Sequence, residues 1–261
     1  MERISSAHNA TLKLARKLLK SSRERDRAGR IVLDGAHLVG DYAKRFGLAG
    51  ADILVDQAAT QKPEIVKLIH PVPAGARCFE VTTSAFAGVS PVDTPTGIVA
   101  LCDRPSVVTP ENQIGFGLLL DGIQDPGNLG SILRTAAATG VELVLLSDTC
   151  ADAWSPKCLR GGMGAQFVLP VNSGIDPDAA IRQFAGKRIA TSPRGSASLT
   201  NVDLSGPLLA VFGGEGGGLP DQLIASTDLT VRIPLTNGVE SLNVGAAIAM
   251  FCYERLRQVA S

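Results

Sequence analysis

Six short apolar runs divide the second half of the sequence, and segments with helical periodicity alternate with them. The runs cover residues 116–120, 142–147, 166–171, 187–191, 208–212 and 229–233. Strand-length apolar runs that alternate with helices are typical of βαβ units, in which buried parallel strands are covered by helices on both faces. We therefore predict a largely parallel α/β sheet for this half of the chain.

Three glycine-rich segments lie within that alternation, at 118–140, 211–220 and 232–251. Each places an apolar run ahead of a loop of small and polar residues, and helical periodicity follows the first and third. Glycine lets the backbone approach a ligand closely at the ends of strands. None of the segments is a G-x-G-x-x-G or G-x-x-x-x-G-K-[ST] nucleotide motif. We therefore expect a small ligand that is held in an unusual way.

The first half of the chain predicts a separate, smaller α/β domain. Residues 10–20 have the pattern of an amphipathic helix, and strand and helix patterns then alternate up to the apolar run TGIVALC. The stretch that follows contains two prolines and has no periodicity, which is typical of a linker. We predict a domain at 1–103, a linker at 104–113 and a second domain at 114–261.

The composition excludes several classes of protein. The five cysteines are scattered without a C-x-x-C pair, which favours free thiols in a reducing compartment and gives no zinc motif. No apolar run approaches the roughly 18 residues that a membrane helix needs, and we expect no signal peptide. We expect a cytoplasmic protein with no membrane segment and no metal. All three histidines lie in the first half, so the second domain has no histidine base of its own.

The polar residues of the glycine-rich segments are candidates for chemistry, and each also has a purely structural interpretation. Asn128 fits a helix N-cap as well as a site residue, and Arg134 fits a surface ion pair as well as an anion clamp. The loop around Glu215 fits a mobile surface loop as well as close approach to another segment. Ser241 and Asn243 fit helix caps as well as ligand contacts.

The three segments resemble the motifs of the SpoU/TrmH branch of the SPOUT RNA methyltransferases. The matching residues read NLGSILRT (128–135), GGEGGGL (213–219) and IPL followed by SLNV (233–244). The N-terminal half resembles more loosely the L30e-like substrate-binding domain that precedes the methyltransferase domain in many members. The resemblance implies a parallel α/β methyltransferase domain with a deep trefoil knot, in which S-adenosylmethionine is bound in a bent shape.

The resemblance also implies roles for named residues. The catalytic set would be Asn128, Arg134, Glu215, Ser241 and Asn243. The contacts to S-adenosylmethionine would come largely from backbone, at Gly213, Gly214, Ile233, Leu235, Leu242 and Asn243. Members of this family usually work as homodimers that pack through the knotted domain, so a homodimer is expected here too.

The first thirty residues hold nine basic and three acidic residues in a chain of zero net charge. This excess gives candidates for binding RNA phosphates, although a solvated helix face is the simpler interpretation. The candidates are Lys13, Lys17, Arg23, Arg25 and Arg30.

We expect transfer of a methyl group to a ribose 2′-hydroxyl of ribosomal RNA, specifically 23S rRNA, with tRNA as the alternative substrate. A non-catalytic RNA-binding protein of the same fold is a further alternative. A nicotinamide-dependent oxidoreductase is disfavoured because an early G-x-G-x-x-G fingerprint is missing.

Overall fold

The computed structural model describes residues 1–92, 94–108 and 113–260. They form two compact units, Met1–Ser106 with Trp154–Phe167, and Val107–Ala153 with Val168–Ser261. A short segment from the second half of the chain thus groups with the N-terminal elements. The linker predicted at 104–113 includes residues 109–112, which lie outside the described residues.

A mixed sheet forms the centre of the first unit. Its described strands are β1 (Glu2–Ile4), β2 (Arg30–Asp34), β3 (Asp52–Asp56), β4 (Arg77–Val81) and β5 (Ile98–Asp103). Their order across the sheet is β1-β4-β3-β5-β2, and β5 runs antiparallel to both of its neighbours. The helices of this half are α1 (Ala10–Lys20), α2 (Ser22–Ala28), α3 (Ala36–Phe46), α4 (Pro63–Ile69) and α5 (Thr83–Ala87), with a 3-10 turn at Gln57–Ala59.

Helix α1 covers one face of this sheet, as its periodicity predicts. Asn9 caps the helix by accepting the Thr11 N–H at 2.8 Å. The inward face carries Leu12, Ala15 and Leu18, which are fully buried. Each buried leucine contributes about 1.5–3 kcal/mol relative to an exposed one, so this apolar stripe fixes which helix face meets solvent.

The second unit contains a seven-stranded sheet within the described residues, and its elements alternate along the chain. Its strands are β6 (Phe116–Asp121), β7 (Leu143–Ser147), β8 (Val171–Ile175), β9 (Lys187–Thr191), β10 (Ala197–Ser198), β11 (Leu208–Gly213) and β12 (Leu229–Arg232). The helices of this half of the chain are α6 (Pro126–Ala138), α7 (Pro156–Gly162), α8 (Pro177–Gln183), α9 (Asp221–Ala225) and α10 (Val244–Val259), with 3-10 turns at Ala165–Phe167 and Leu199–Asn201.

Each pair of neighbouring strands in this sheet is parallel, in the order β10-β12-β9-β11-β6-β7-β8. The prediction of a largely parallel sheet is therefore confirmed. One of the six apolar runs was assigned wrongly, because residues 166–171 form a 3-10 turn and loop, and the strand begins only at Val171. The apolar ring of Phe167 is instead buried by edge-on packing against Tyr42, with ring centroids 5.6 Å apart. A short apolar run does not distinguish a strand from other buried chain.

Candidate active site

The first two glycine-rich segments meet at the carboxyl edge of the parallel sheet. Strands β6 and β11 are neighbours, and their register places Gly213 opposite Asp121. Because the two strands run in the same direction, the loops that follow them leave the sheet at the same edge. This edge is where open α/β sheets bind ligands.

The two loops touch through glycine backbone. A Cβ placed on Gly214 would lie 2.1 Å from the carbonyl oxygen of Gly122, and one placed on Gly213 would lie 2.1 Å from the carbonyl carbon of Gly218. Any side chain at these two positions would therefore collide with backbone. The segment is built for close approach, and the interpretation as a loose surface loop is wrong at these glycines.

Asn128 does not cap a helix. Helix α6 begins at Pro126, before Asn128, and the carboxylate of Asp125 accepts the Asn128 N–H at 2.8 Å. An N-cap acid followed by proline at the first helical position is a favourable helix start. The side-chain amide of Asn128 is consequently available for another partner.

That partner is Glu215, which joins all three glycine-rich segments. Its Oε1 atom accepts a hydrogen bond from Nδ2 of Asn128 at 2.6 Å and from Nδ2 of Asn243 at 2.9 Å. Hydrogen bonds to a carboxylate are shorter and stronger than those between neutral groups. One carboxylate oxygen therefore holds together residues that are 87 and 28 positions away from it in the chain.

Asn243 has two functions in this arrangement. Its Oδ1 atom caps α10 by accepting the N–H groups of Gly245 at 2.9 Å and Ala246 at 3.3 Å, while its amide donates to Glu215. The cap interpretation and the site interpretation of Asn243 are thus both correct. The rigid cap fixes the direction in which the amide points.

A pocket of about 200 Å³ opens beside the Glu215 cluster. It is lined by Gly122, Ile123, Gln124, Asp125, Asn128, Glu215 and Val244. Four of these residues carry side-chain oxygens that can accept hydrogen bonds, and the amides of Gln124 and Asn128 can also donate. The pocket therefore suits a ligand with hydroxyl groups.

Arg134 and Ser241 are not hydrogen-bonded to this cluster within the described residues. The side chains of both are exposed, and neither makes a hydrogen bond or ion pair to the residues that the structure describes. Six residues advance a helix by about 9 Å and rotate it by about 240°, so Arg134 projects from a different face of α6 than Asn128. In the described part of the chain, the direct hydrogen-bond partners of Glu215 therefore include Asn128 and Asn243 but neither Arg134 nor Ser241.

The residues expected to contact a cofactor lie at the same sheet edge. Gly213 ends β11 and Gly214 follows it, and Ile233 follows β12, while β9 separates these two strands in the sheet. Ile233 and Leu242 are half-buried, whereas Leu235 is exposed. Parallel strands β11, β9 and β12 thus place the second and third segments at one end of the sheet.

The basic residues of the N-terminal helices divide into two groups. Lys13, Lys17 and Arg23 are exposed, as expected for phosphate contacts. Arg25 is only 4% exposed and donates to the carbonyl oxygen of Leu18, and Arg30 is also largely buried.

The guanidinium of Arg30 is bonded to Asp52 at 2.9 Å and to the carbonyl oxygen of Leu101 at 2.6 Å. Burial and these intramolecular bonds disfavour Arg25 and Arg30 as phosphate contacts, because both arginines satisfy backbone and carboxylate groups of their own unit.

Sequence reasoning missed the pocket residues Gln124, Asp125 and Val244. The Asp-Pro pair at 125–126 was an available signal for the helix start. The positions of the other two become evident only when the loops meet. Among residues 1–92, 94–108 and 113–260, no helix is long and apolar enough to span a bilayer, and no group of three potential metal ligands is present.

Two family models match the two halves of the chain. The model of the SpoU rRNA Methylase family matches residues 115–253, and that of the MRM3-like substrate binding domain matches residues 9–100. The first match alone covers more than half of the sequence and includes all three glycine-rich segments.

Individual relatives are similar over nearly the full length. The 23S rRNA (guanosine(2553)-2′-O)-methyltransferase RlmP of Bacillus subtilis is 32% identical over 258 residues, which cover 97% of this chain and 98% of that protein. The SpoU methyltransferase AviRb of Streptomyces viridochromogenes, solved with the cofactor AdoMet, has a TM-score of 0.85 at 25% identity and covers 97% of this chain and 99% of its own. An AdoMet-bound rRNA methyltransferase of Sinorhizobium meliloti has a TM-score of 0.82 at 25% identity over 100% of this chain and 99% of its own.

Proposed function

Because the chain belongs to the SpoU rRNA Methylase family, we propose that it transfers a methyl group from S-adenosylmethionine to a ribose 2′-hydroxyl of 23S ribosomal RNA. RNA 2′-O-methyl transfer is its reaction class. The observation that carries the proposal at atomic level is the convergence of Asn128 and Asn243 on one oxygen of Glu215, beside a polar pocket. The full-length similarity to a 23S rRNA enzyme supports the choice of RNA.

The polar pocket is the proposed site of the acceptor ribose. In the proposed transfer a bond would form between O2′ and the methyl carbon as the bond from that carbon to sulfur breaks, which would give the 2′-O-methyl ribose and S-adenosylhomocysteine, with the hydroxyl proton passing to water. Holding the hydroxyl in line with the methyl group supplies a large part of the rate enhancement, up to about 7–11 kcal/mol. The Glu215 cluster fixes the pocket wall, and its remaining oxygen is available to hydrogen-bond a ribose hydroxyl.

The backbone at the carboxyl ends of β11 and β12 is the proposed site of S-adenosylmethionine. Gly213, Ile233 and Leu242 would provide most of its contacts. The position of Gly213 at the end of β11 and the half-buried side chains of the other two support this placement. We also propose that the chain between β11 and α10 forms the trefoil knot of the family. A crystal structure with S-adenosylmethionine bound tests both proposals.

Arg134 is the proposed ligand of the acceptor phosphate and hydroxyl. Its exposed guanidinium has no partner among the described residues, and a free guanidinium suits a bidentate phosphate contact. Arg134→Ala should lower kcat for methyl transfer by at least tenfold without changing the Kd for S-adenosylmethionine. The control is Arg182→Ala, which removes an exposed arginine of α8. Wild-type turnover of Arg134→Ala would remove this residue from the mechanism.

A homodimer through α10 is part of the proposal. The inward face of this helix is buried, whereas Met250, Tyr253 and Leu256 form an exposed apolar stripe at helical spacing, with Tyr253 65% exposed. Packing of this stripe against the same stripe of a second copy, across a two-fold axis, would bury these side chains. Tyr253→Asp should convert a dimer into a monomer in light scattering, while Val168→Asp, at an exposed apolar residue elsewhere in the unit, should not.

The choice between RNAs is tested directly with the purified protein. Tritium from methyl-labelled S-adenosylmethionine should enter 23S rRNA of ribosomes or of deproteinised total RNA, and mapping of 2′-O-methyl groups should give one position. Label in tRNA would identify the alternative substrate, and binding of RNA without transfer would identify the non-catalytic alternative. Given ribosomal RNA as substrate, we place the protein in the cytoplasm, which cell fractionation checks.

A further inference from the structure

The last residue of β7 and the loop that follows it hold the wall of the acceptor pocket through two side chains. The Gly122 N–H donates to Oγ of Ser147 at 3.3 Å, and the Ile123 N–H donates to Sγ of Cys150 at 3.4 Å. Gly122 and Ile123 both line the pocket. Two backbone donors of the wall thus depend on side chains that lie outside the pocket and outside the three glycine-rich segments.

Further hydrogen bonds lead back to the same segment, directly from Cys150 and through Thr149 from Ser147. The Cys150 thiol donates to the carbonyl oxygen of Leu120 at 3.2 Å, so it bonds the chain on both sides of Asp121. Thr149 donates to Oδ1 of Asp121 at 3.3 Å, which leaves the Ser147 hydroxyl as the donor in its 2.8 Å contact with Thr149. A further backbone bond joins the Ala151 N–H to the carbonyl oxygen of Ile123 at 2.8 Å.

The segment held in this way also supports the Glu215 cluster. Gly122 is the residue against which Gly214 packs, and Gly214 directly precedes Glu215. A shift of the wall would therefore move the carboxylate that Asn128 and Asn243 share. Among the described cysteines, Cys150 is half-buried, whereas Cys78, Cys102, Cys158 and Cys252 are buried.

We propose that Cys150, assisted by Ser147, is a positioning residue that fixes the backbone from Leu120 to Ile123 and thereby aligns the acceptor ribose. This inference rests on the proposed function, because it concerns the pocket assigned to the acceptor. In this role the thiol accepts a hydrogen bond from the Ile123 N–H and donates one to the carbonyl oxygen of Leu120. A hydroxyl can do the same, but a methyl group cannot.

The test compares Cys150→Ala with Cys150→Ser, and uses Cys78→Ala as a control in the other unit. In Cys150→Ala we expect kcat to fall roughly 10- to 100-fold, the effect of a small misplacement of reacting groups. The Kd for S-adenosylmethionine and the melting temperature should stay close to wild type. Cys150→Ser should restore most of kcat. Hydrogen exchange at the amides of Gly122 and Ile123 should accelerate in Cys150→Ala alone.

The outcomes separate this inference from the proposed function. If wild-type protein methylates RNA and Cys150→Ala does so at the same kcat, the positioning role is wrong while the function stands. If kcat, donor affinity and melting temperature fall together and Cys150→Ser does not recover, the thiol is only a packing residue. If wild-type protein transfers no methyl group, the proposed function fails, and faster exchange at Ile123 still tests the hydrogen bond itself.

Discussion

Gly214 passes so close to Gly122 that a Cβ on it would lie 2.1 Å from the Gly122 carbonyl oxygen. Non-bonded carbon and oxygen atoms do not approach so closely without a shift of the backbone. Because Glu215 follows directly, the spacing between these two glycines sets where its carboxylate meets Asn128 and Asn243. The contact between the two loops therefore determines the geometry of the site.

Gly214→Ala should disrupt the site, because the added methyl group must displace the loop of residues 121–125. We expect methyl-transfer activity to fall at least tenfold, with weaker binding of S-adenosylmethionine measured by calorimetry. Gly217→Ala is the matched control, since a Cβ there meets nothing within 4 Å. Equal behaviour of the two variants would contradict the close approach.

Glu215 should matter mainly through its charge and its two amide partners. Glu215→Ala leaves both amides without their acceptor, and we expect kcat to fall roughly 10- to 100-fold. Glu215→Gln retains an oxygen that can accept both hydrogen bonds, although each becomes weaker without the charge. Its kcat should therefore lie between those of wild type and Glu215→Ala. An alanine variant as active as wild type would show that the cluster is dispensable.

The exposed basic face of α1 and the start of α2 should bind RNA through its phosphates. Replacing Lys13, Lys17, Lys20 and Arg23 with glutamine should weaken RNA binding and flatten its salt dependence. Each lost phosphate contact lowers the slope of log K against log salt by about 0.7–0.9.

A filter-binding titration at several salt concentrations measures both effects on RNA binding. Lys44→Gln with Arg45→Gln, on the exposed side of α3, is the control. An unchanged slope in the quadruple variant would assign RNA capture to another surface.

Asp34 should make the stability of the first unit depend on pH. Burial raises the pKa of its carboxyl, and Arg160, 3.9 Å away, only partly offsets this. Its Oδ1 atom has no hydrogen-bond partner within the described residues. A carboxyl whose pKa is higher in the folded than in the unfolded chain costs stability as the pH rises above its unfolded value of 3.8 and through its folded value.

Asp34→Asn should therefore stabilise the protein at pH 7 by on the order of 1 kcal/mol, since the uncompensated charge is removed. The gain should shrink as the pH falls towards 4, because the raised pKa lets the wild-type carboxyl take up a proton as the pH falls. Urea unfolding at both pH values measures the difference, with the exposed Asp148→Asn as control. A loss of stability at pH 7 would mean that the pairing with Arg160 outweighs burial.

Much of the fold could be predicted because it depends on local patterns. In the first half, the segments with strand or helix periodicity correspond to strands and helices of the structure. In the second half, five of the six apolar runs correspond to strands. The run at 166–171 failed because Phe167 is buried among aromatic side chains rather than in a strand. Helix α2 was missed because a charged segment gives little apolar periodicity, although Ser21 caps it by accepting the Glu24 N–H at 3.3 Å.

The site was predictable only in part. Asn128, Glu215 and Asn243 were candidates from their motifs, and the tertiary structure joins them through one oxygen atom. Arg25 had the same charge and the same neighbourhood as Arg23, yet it is buried and Arg23 is exposed. Residue type gives the chemistry that is possible, whereas burial decides which charges remain available.

The sequence by itself determined the elements, the parallel class of the sheet and the set of polar residues that could react, because periodicity and residue type are local properties. Only the tertiary structure decided that Gly122 and Gly214 touch, that Glu215 holds two asparagines, and that Ser147 and Cys150 support the pocket wall. These contacts join residues far apart in the chain. Their geometry arises from strand order and close packing, which no local pattern specifies.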